Sequence, residues 1–542
     1  MSNVHSVRIV EPGQEAKGLS SRPFFLVTGL VLLLIGTALR VYHLGNRSLW
    51  YDEAATANAS RGTWKYVLER TRQFSAPVVH PYILYLAEKV RCDAVAVRVP
   101  SVLASLLAVV VMLAMVRVKV SQNAALFSAA ILAISASQIR YAQEVREYSL
   151  TVLCATILIF CLLKWEVSAS RDDHPLLLYA ALFIAPLIQY GLVVFAIAIL
   201  STIVLRLLLT RDTSFSPPKV LLALACLVAG TVLSFILTAR YQFKPGGTQW
   251  YLAANYFDPK TTTLLQFLTA NSKGLLGFSI TGRVIDLCVL VAGIIFCVAQ
   301  GLARKYDTIT LLLFTSVPIT MCAAVARVYP YGGIRQCIFL APVLALFAGL
   351  AFADLLQRLK GSLQTAATVA LMAIIVISLY RGVLKEWPYR EIEDTQSVLR
   401  ELAKGMTPSD QVWVNHDAVE AFEFYQPIKD PRFIYGKFHS DAKLYVPDLF
   451  GSIHPHSDRL WLVFSHLEQR SDRAEEQLIV ESLRSEWDVH SVVAPTNTEL
   501  YVADRKITSI NNGGAHVTTG PKTKAIVTSR LVGHGTNRGT TL

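Results

Sequence analysis

The sequence predicts an α-helical polytopic membrane protein with about eleven spans, interfacial helices in its first outer loop and a small C-terminal α/β domain outside the membrane. Three observations predict it. Of 542 residues, 53% are hydrophobic and 17% charged, with a mean hydropathy of +0.43, outside the range of an ordinary soluble enzyme. The apolar residues fall in runs long enough to cross about 30 Å of hydrocarbon. From residue 385 onward the composition turns charged and mixed. The net charge of +12 is spread over short gaps between apolar runs and not gathered into one patch, which excludes a nucleic-acid surface. The eight cysteines lie nearly all in or beside apolar runs with no C-x-x-C pair, against a disulfide framework or a zinc site.

Spans are expected at 24–41, 97–116, 123–139, 148–163, 175–189, 191–209, 219–239, 284–302, 308–326, 336–356 and 364–380. The run from Phe24 to Leu39 has the length of a signal-peptide core, but no small-residue cleavage site follows, so it reads as a retained helix. With residues 1–23 cytoplasmic, every inner loop carries Lys or Arg, as at Arg117 and Lys119, or Arg358 and Lys360. The outer segments are then 42–96, 140–147, 189–191, 240–283 and 327–335, and the odd number of spans puts the C-terminal half outside.

In the first outer loop, Trp64, Val67, Leu68 and Thr71 have the spacing of a helix lying in the interface. A second such helix begins at Pro81 and, at about ten residues, is too short to span. Beyond the membrane domain (24–382), residues 383–505 alternate helices (393–404, 417–425, 471–486) with strands (412–414, 433–435, 460–464, 499–503), the pattern of a small α/β domain. The tail, 506–542, is rich in Gly, Thr and Asn and is predicted to be disordered.

Ionisable residues are nearly absent from the middles of the spans, where each costs about 2.5–3.5 kcal/mol. The candidates for chemistry lie at outer helix ends. In Leu49-Trp-Tyr-Asp52-Glu53-Ala54, two adjacent carboxylates can supply a general base and a residue that binds an acceptor or orients the base. The bland alternative is an acidic cap on a helix N-terminus. In Arg140-Tyr-Ala-Gln-Glu144-Val-Arg146-Glu147-Tyr148, an arginine fork suits bidentate phosphate binding, unless the arginines only pair weakly with Glu144 and Glu147. Arg335, after Gly332-Gly333-Ile334, is a third phosphate ligand or a snorkelling anchor. His80 can bind an acceptor hydroxyl, shuttle a proton or merely cap its helix. Trp250, Tyr251, Tyr256 and Phe257 are a sugar-stacking group or an interfacial belt.

Together these segments resemble the bacterial polytopic glycosyltransferases of the GT-C class, the group that includes protein O-mannosyltransferases and lipid A aminoarabinose transferases. The matching features are L-W-Y-D-E-A after the first span, V-H-P-Y, Y-A-Q-E-V-R-E-Y-S-L before the fourth span, G-G-I-R followed by Pro342, and the outer α/β tail, over residues 24–505. The resemblance implies inverting transfer of a sugar from a polyprenyl-phosphate donor to an envelope glycan, lipid or protein acceptor at the outer face of the inner membrane. It implies Asp52 as general base, Glu53 positioning the acceptor, Arg146 and Arg335 holding the leaving phosphate, and His80, Glu144 and Tyr148 shaping the pocket, with Arg140 beside them. No cofactor is called for, and a divalent metal is left open. The chain departs from the pattern in V-H-P-Y, where many relatives have a double proline, and in Glu144, where some have aspartate. The competing readings are a flippase for polyprenyl-linked lipid or polysaccharide and a non-catalytic envelope assembly protein.

Overall fold

The computed structural model describes residues 22–506 apart from 74–75, 92, 168–174, 211–215, 243–251, 281–282, 304–306, 387–391, 440–441, 456 and 468–469. Most of the N-terminal segment, nearly all of the expected tail, and Trp250 and Tyr251 therefore lie outside the described residues. The chain is a polytopic membrane protein. Among the described residues, seven helices are long and apolar enough to cross a membrane, and an eighth span forms if one bent pair is counted as one. The remaining expected segments correspond to shorter apolar stretches, Leu176–Ile188, Cys288–Leu302 and Gly361–Ile377. At about 1.5 Å per residue, the 13 residues of Leu176–Ile188 fall short of the hydrocarbon thickness, because extended backbone at Gln189 ends the helix.

The first helices position the site. Helix α1 is Arg22–Val41, followed by three short helices, α2 (Tyr51–Ala59), α3 (Trp64–Thr71) and α4 (Val79–Glu88), and by the span α5 (Ala94–Ala114). Helix α4 starts two residues before Pro81, which still sits in its first turn, where a missing N–H leaves no bond unmade. Then come α6 (Gln122–Ile134), α7 (Ala136–Ala142) and α8 (Tyr148–Val167). Helices α6 and α7 are the bent pair, meeting at 57°. Their break at Ser135 strips the last α6 carbonyls of helical partners, and Arg40, fully buried at the end of α1, replaces them. Its guanidinium donates to the Leu132 and Ala133 carbonyls at 2.9 and 2.7 Å, placing a cation at a helix C-terminus. In return Gln143 donates to the carbonyls of Leu39, Arg40 and Tyr42 and ties the α7–α8 loop to the end of α1.

Leu264–Ile280, inside the stretch expected to be a long loop, is a helix. Gln266, Thr269, Asn271 and Lys273 interrupt its apolar run and conceal its period.

The C-terminal region contains a five-stranded sheet of β1 (Gln411–Val414), β2 (Phe433–Tyr435), β3 (Arg459–Phe464), β4 (Trp487–Val493) and β5 (Glu499–Arg505), in the order β2-β1-β3-β5-β4. The β2, β1 and β3 pairings are parallel, and β5 pairs antiparallel with both β3 and β4. One face packs Trp413, Leu462 and Phe464 against Ile479 and Leu483 of the helix Arg470–Leu483. The other packs Val412, Val414 and Val463 against Leu402 and Phe422 of the helices Thr395–Gly405 and Val419–Tyr425. Strand β4 was not foreseen. Only Trp487 and Val489 are buried on this edge strand, so its apolar alternation is brief. A separate apolar cluster joins this region to the membrane helices: Leu49, Ala54, Leu84 and Val145 pack with Ala421 and Phe424.

Candidate active site

Helix α2 begins directly after Trp50, whose backbone is extended but whose side chain caps nothing. Asp52 and Glu53 occupy the first turn, where the helix dipole favours carboxylates. Successive residues project about 100° apart around a helix, and the two carboxylates meet different surroundings.

Glu53 is buried, with 1% of its surface exposed. It receives Arg98 Nε and Nη2 at 3.1 and 2.9 Å and the Val145 amide at 2.9 Å. Arg98, also buried, donates its remaining N–H groups to the carbonyls of Leu44, Arg47 and Ser48. This pair fixes three pieces of chain: the end of the α1–α2 loop, α5 and the α7–α8 loop.

Asp52 is about a quarter exposed, and both of its cationic neighbours reach the same oxygen. Its Oδ2 accepts from Arg335 Nη1 at 3.0 Å and lies 3.5 Å from Arg146 Nη1. Burial would push this carboxyl up, but Arg146 and then Arg335 outweigh it and hold it below the usual aspartate range. The ring of Tyr148 lies 5.7 Å from the guanidinium carbon of each arginine, and Trp50 lies 5.6 Å from that of Arg335. Arg146 is also 3.4 Å from Glu147, and although burial opposes its charge, Glu147 and its other neighbours keep it firmly protonated.

Arg335 reaches Asp52 because of the two glycines before it. Gly332 has φ +145°, and a side chain there would strike Asn255 and Asn271; one at Gly333 would strike the backbone of Gly274. The loop thus lies against the helix Leu264–Ile280. Asn255 completes the fixing: its carbonyl accepts the Tyr331 amide at 2.9 Å, and its side-chain Nδ2 donates to the Tyr331 carbonyl at 3.2 Å and to Asn271 Oδ1 at 3.1 Å.

His80 is 2% exposed, and neither ring nitrogen has a hydrogen-bond partner among the described residues. Burial, aided by the charge of Arg146, pushes its pKa down to about 3, so the ring is neutral. Glu144 is buried and accepts from the more exposed Arg140 at 3.1 Å, while its Oε2 has no partner among the described residues. Beside it a small cavity is lined by Arg47, Ser48, Trp50, Glu53, Glu144 and Ile392. Tyr256 is buried, and Phe257 packs on Phe267 at 5.7 Å. Among the described residues, no three His, Cys, Asp or Glu side chains converge to hold a metal ion.

The structure therefore gathers Asp52, Arg146, Tyr148 and Arg335 at one point. It places His80 in the field of Arg146, and puts Glu53, Arg140 and Glu144 in contacts of their own. Arg98 escaped the sequence reading although it carried a signal, since a lone arginine in an apolar run implies a buried partner. Glu393 and His466, which touch α2 from the C-terminal region, carried none.

Residues 75–235 match the family model described as dolichyl-phosphate-mannose-protein mannosyltransferase. No curated protein matches the chain by sequence. Among solved structures, ArnT from Cupriavidus metallidurans bound to undecaprenyl phosphate aligns with a TM-score of 0.53 at 14% identity, over 89% of this chain and 98% of that one. Its apo state aligns with a TM-score of 0.50 at 13% identity, over 89% and 97%. The Archaeoglobus fulgidus oligosaccharyltransferase aligns with a TM-score of 0.51 at 11% identity, over 90% of this chain and 75% of that one. The chain therefore has the GT-C fold of ArnT over nearly its whole length, and residues 75–235 carry the match to the mannosyltransferase family model.

Proposed function

We propose that this protein is an inverting glycosyltransferase that moves a sugar from a polyprenyl-phosphate donor to an envelope glycan, lipid or protein acceptor at the outer face of the inner membrane. The observation that carries this reading is the single carboxylate of Asp52 shared by the guanidinium groups of Arg146 and Arg335. The mannosyltransferase match and the undecaprenyl phosphate bound to ArnT point to the same kind of donor. Residues 24–382 would form the transferase domain, and 383–505 an extracytoplasmic domain above it.

Two guanidinium groups are a natural seat for a phosphate. In the free protein Asp52 occupies that seat. A donor phosphate takes over Arg146 and Arg335, and Asp52, relieved of both cations and still partly desolvated, becomes a stronger base. The acceptor oxygen then forms a bond to the anomeric carbon, its proton passes to Asp52, and the bond from that carbon to the phosphate oxygen breaks. The electron pair leaves with the phosphate, held by the two arginines. The Tyr148 ring lies beside both, and neutral His80 adds no charge to repel Arg146. Glu53 acts through Arg98 and Val145 to hold the loop that carries Arg146. Glu144, held by Arg140, lines the neighbouring cavity.

The test is release of free polyprenyl phosphate by purified protein, given a panel of polyprenyl-phosphate sugars and crude envelope acceptor. Release by wild type and none by Asp52→Asn is expected. Release from no donor by folded protein would reject the transferase reading, and equal release by Asp52→Asn would reject the base. Direct binding of polyprenyl phosphate checks the exchange of partners: Asp52→Asn should bind it more tightly than wild type, since the competing carboxylate is gone.

A further inference from the structure

We infer that Glu393, supplied by the C-terminal region, is the N-terminal cap of helix α2 and a positioning residue for Asp52; this rests on the transferase reading above. A helix leaves its first amide groups without internal partners, and a polar side chain at the cap position ordinarily satisfies one of them. Trp50 occupies that position here and makes no such bond. Glu393 makes it instead, from more than 300 residues away in the chain: its Oε2 accepts the Tyr51 amide at 3.0 Å. As a carboxylate at a helix N-terminus it also complements the dipole.

Glu393 is itself immobilised. It is 1% exposed, accepts Ser465 Oγ at 3.0 Å, and is paired with His466 Nδ1 at 2.7 Å. The His466 ring lies 5.4 Å from the ring of Tyr51. Ser465 and His466 directly follow β3, so the sheet sets where Glu393 points. The residues before α2 are held from the same side. Leu49 N donates to the Tyr425 hydroxyl at 2.8 Å, and Ser48 Oγ lies between Asp394 Oδ1 at 3.2 Å and the Gln396 amide at 3.0 Å. Asp52 follows Tyr51 directly, so the direction of its side chain is fixed by a helix start that the C-terminal region completes. A misplacement of about 1 Å in such a group can lower a rate on the order of 100-fold.

The experiment uses the full-length protein, with Glu393→Ala and Glu393→Gln compared by steady-state transfer and by hydrogen exchange of the Tyr51–Ala54 amides read by mass spectrometry. Glu393→Ala should lower kcat on the order of 100-fold with the donor KM unchanged and speed exchange at these amides, while exchange in β1 and β3 stays as in wild type. Glu393→Gln, whose amide oxygen still accepts the Tyr51 N–H, should restore kcat to within a few-fold and restore slow exchange. Wild-type kcat and exchange in Glu393→Ala would overturn the inference, as would a Gln variant as impaired as the Ala one, or a loss that spreads to β1 and β3. If wild type transfers from no donor, the transferase reading fails, and the exchange measurement still decides whether Glu393 caps α2.

Discussion

Glu53 with Arg98 and Asp52 with Arg146 and Arg335 use the same two side-chain types one residue apart, yet the two regions are bonded differently. All five N–H donors of Arg98 find acceptors, and Glu53 adds the Val145 amide to its pair. Nothing is left there for a ligand. Around Asp52, two arginines converge on one oxygen of a partly exposed carboxylate, so the cluster holds more donors than acceptors. The saturated pair fixes the backbone, and the unsaturated one can exchange its carboxylate for another anion. What separates scaffold from site here is the completeness of bonding, since both sets contain buried charge.

Substitutions can break that comparison. The largest effect is expected from Asp52→Asn, which should lower transfer by about 10²- to 10⁴-fold, the usual contribution of a positioned base, with thermal unfolding in detergent near that of wild type. Next, Glu53→Ala or Arg98→Ala strands a buried charge and should destabilise the fold by about 3–5 kcal/mol, seen as a lower unfolding temperature or loss of folded protein from the membrane. If Glu53→Ala unfolded no more readily than Asp52→Asn, the distinction between the two regions would collapse.

His80 sharpens the picture through pH. Its pKa is about 3 in the folded protein against an ordinary 6.5. Below pH 6.5 the unfolded chain therefore takes up a proton that the folded protein refuses, and stability should fall by about 1.4 kcal/mol per pH unit. His80→Phe should remove that part of the acid slope in unfolding measured from pH 7 to pH 5. His466 runs the other way. Its pKa is raised to about 9, chiefly by its bond to Glu393, so the pair's contribution is complete below pH 6.5 and disappears as pH rises through 9. Unfolding curves of wild type and His466→Gln should differ at pH 6 and converge above pH 9. A smaller effect than that of Glu53→Ala belongs to Arg140, which is exposed itself but donates to the buried Glu144: Arg140→Ala leaves that carboxylate without its donor and should destabilise the fold by about 1–3 kcal/mol.

Much of this was legible in local pattern. The apolar runs located the helices, the amphipathic spacing located α3, and the motifs after the first span and before the fourth supplied Asp52, Arg146 and Tyr148. The helix Leu264–Ile280 and strand β4 were concealed, one by polar residues in an apolar helix and the other by sparse burial at a sheet edge. The break between α6 and α7 was missed because no proline or glycine marks it. Its stabilising group, Arg40, lies in another helix.

By itself, the sequence determined which segments could enter a membrane, that an α/β region follows them, and which residue types could handle a phosphate, because hydropathy, periodicity and side-chain chemistry are local properties. The tertiary structure decided which of two adjacent carboxylates is spent on scaffolding, which arginines share the other, and which residue caps the helix carrying both. Those outcomes depend on contacts between Asp52 and Arg335, or Tyr51 and Glu393, hundreds of residues apart, and no local pattern encodes such pairings.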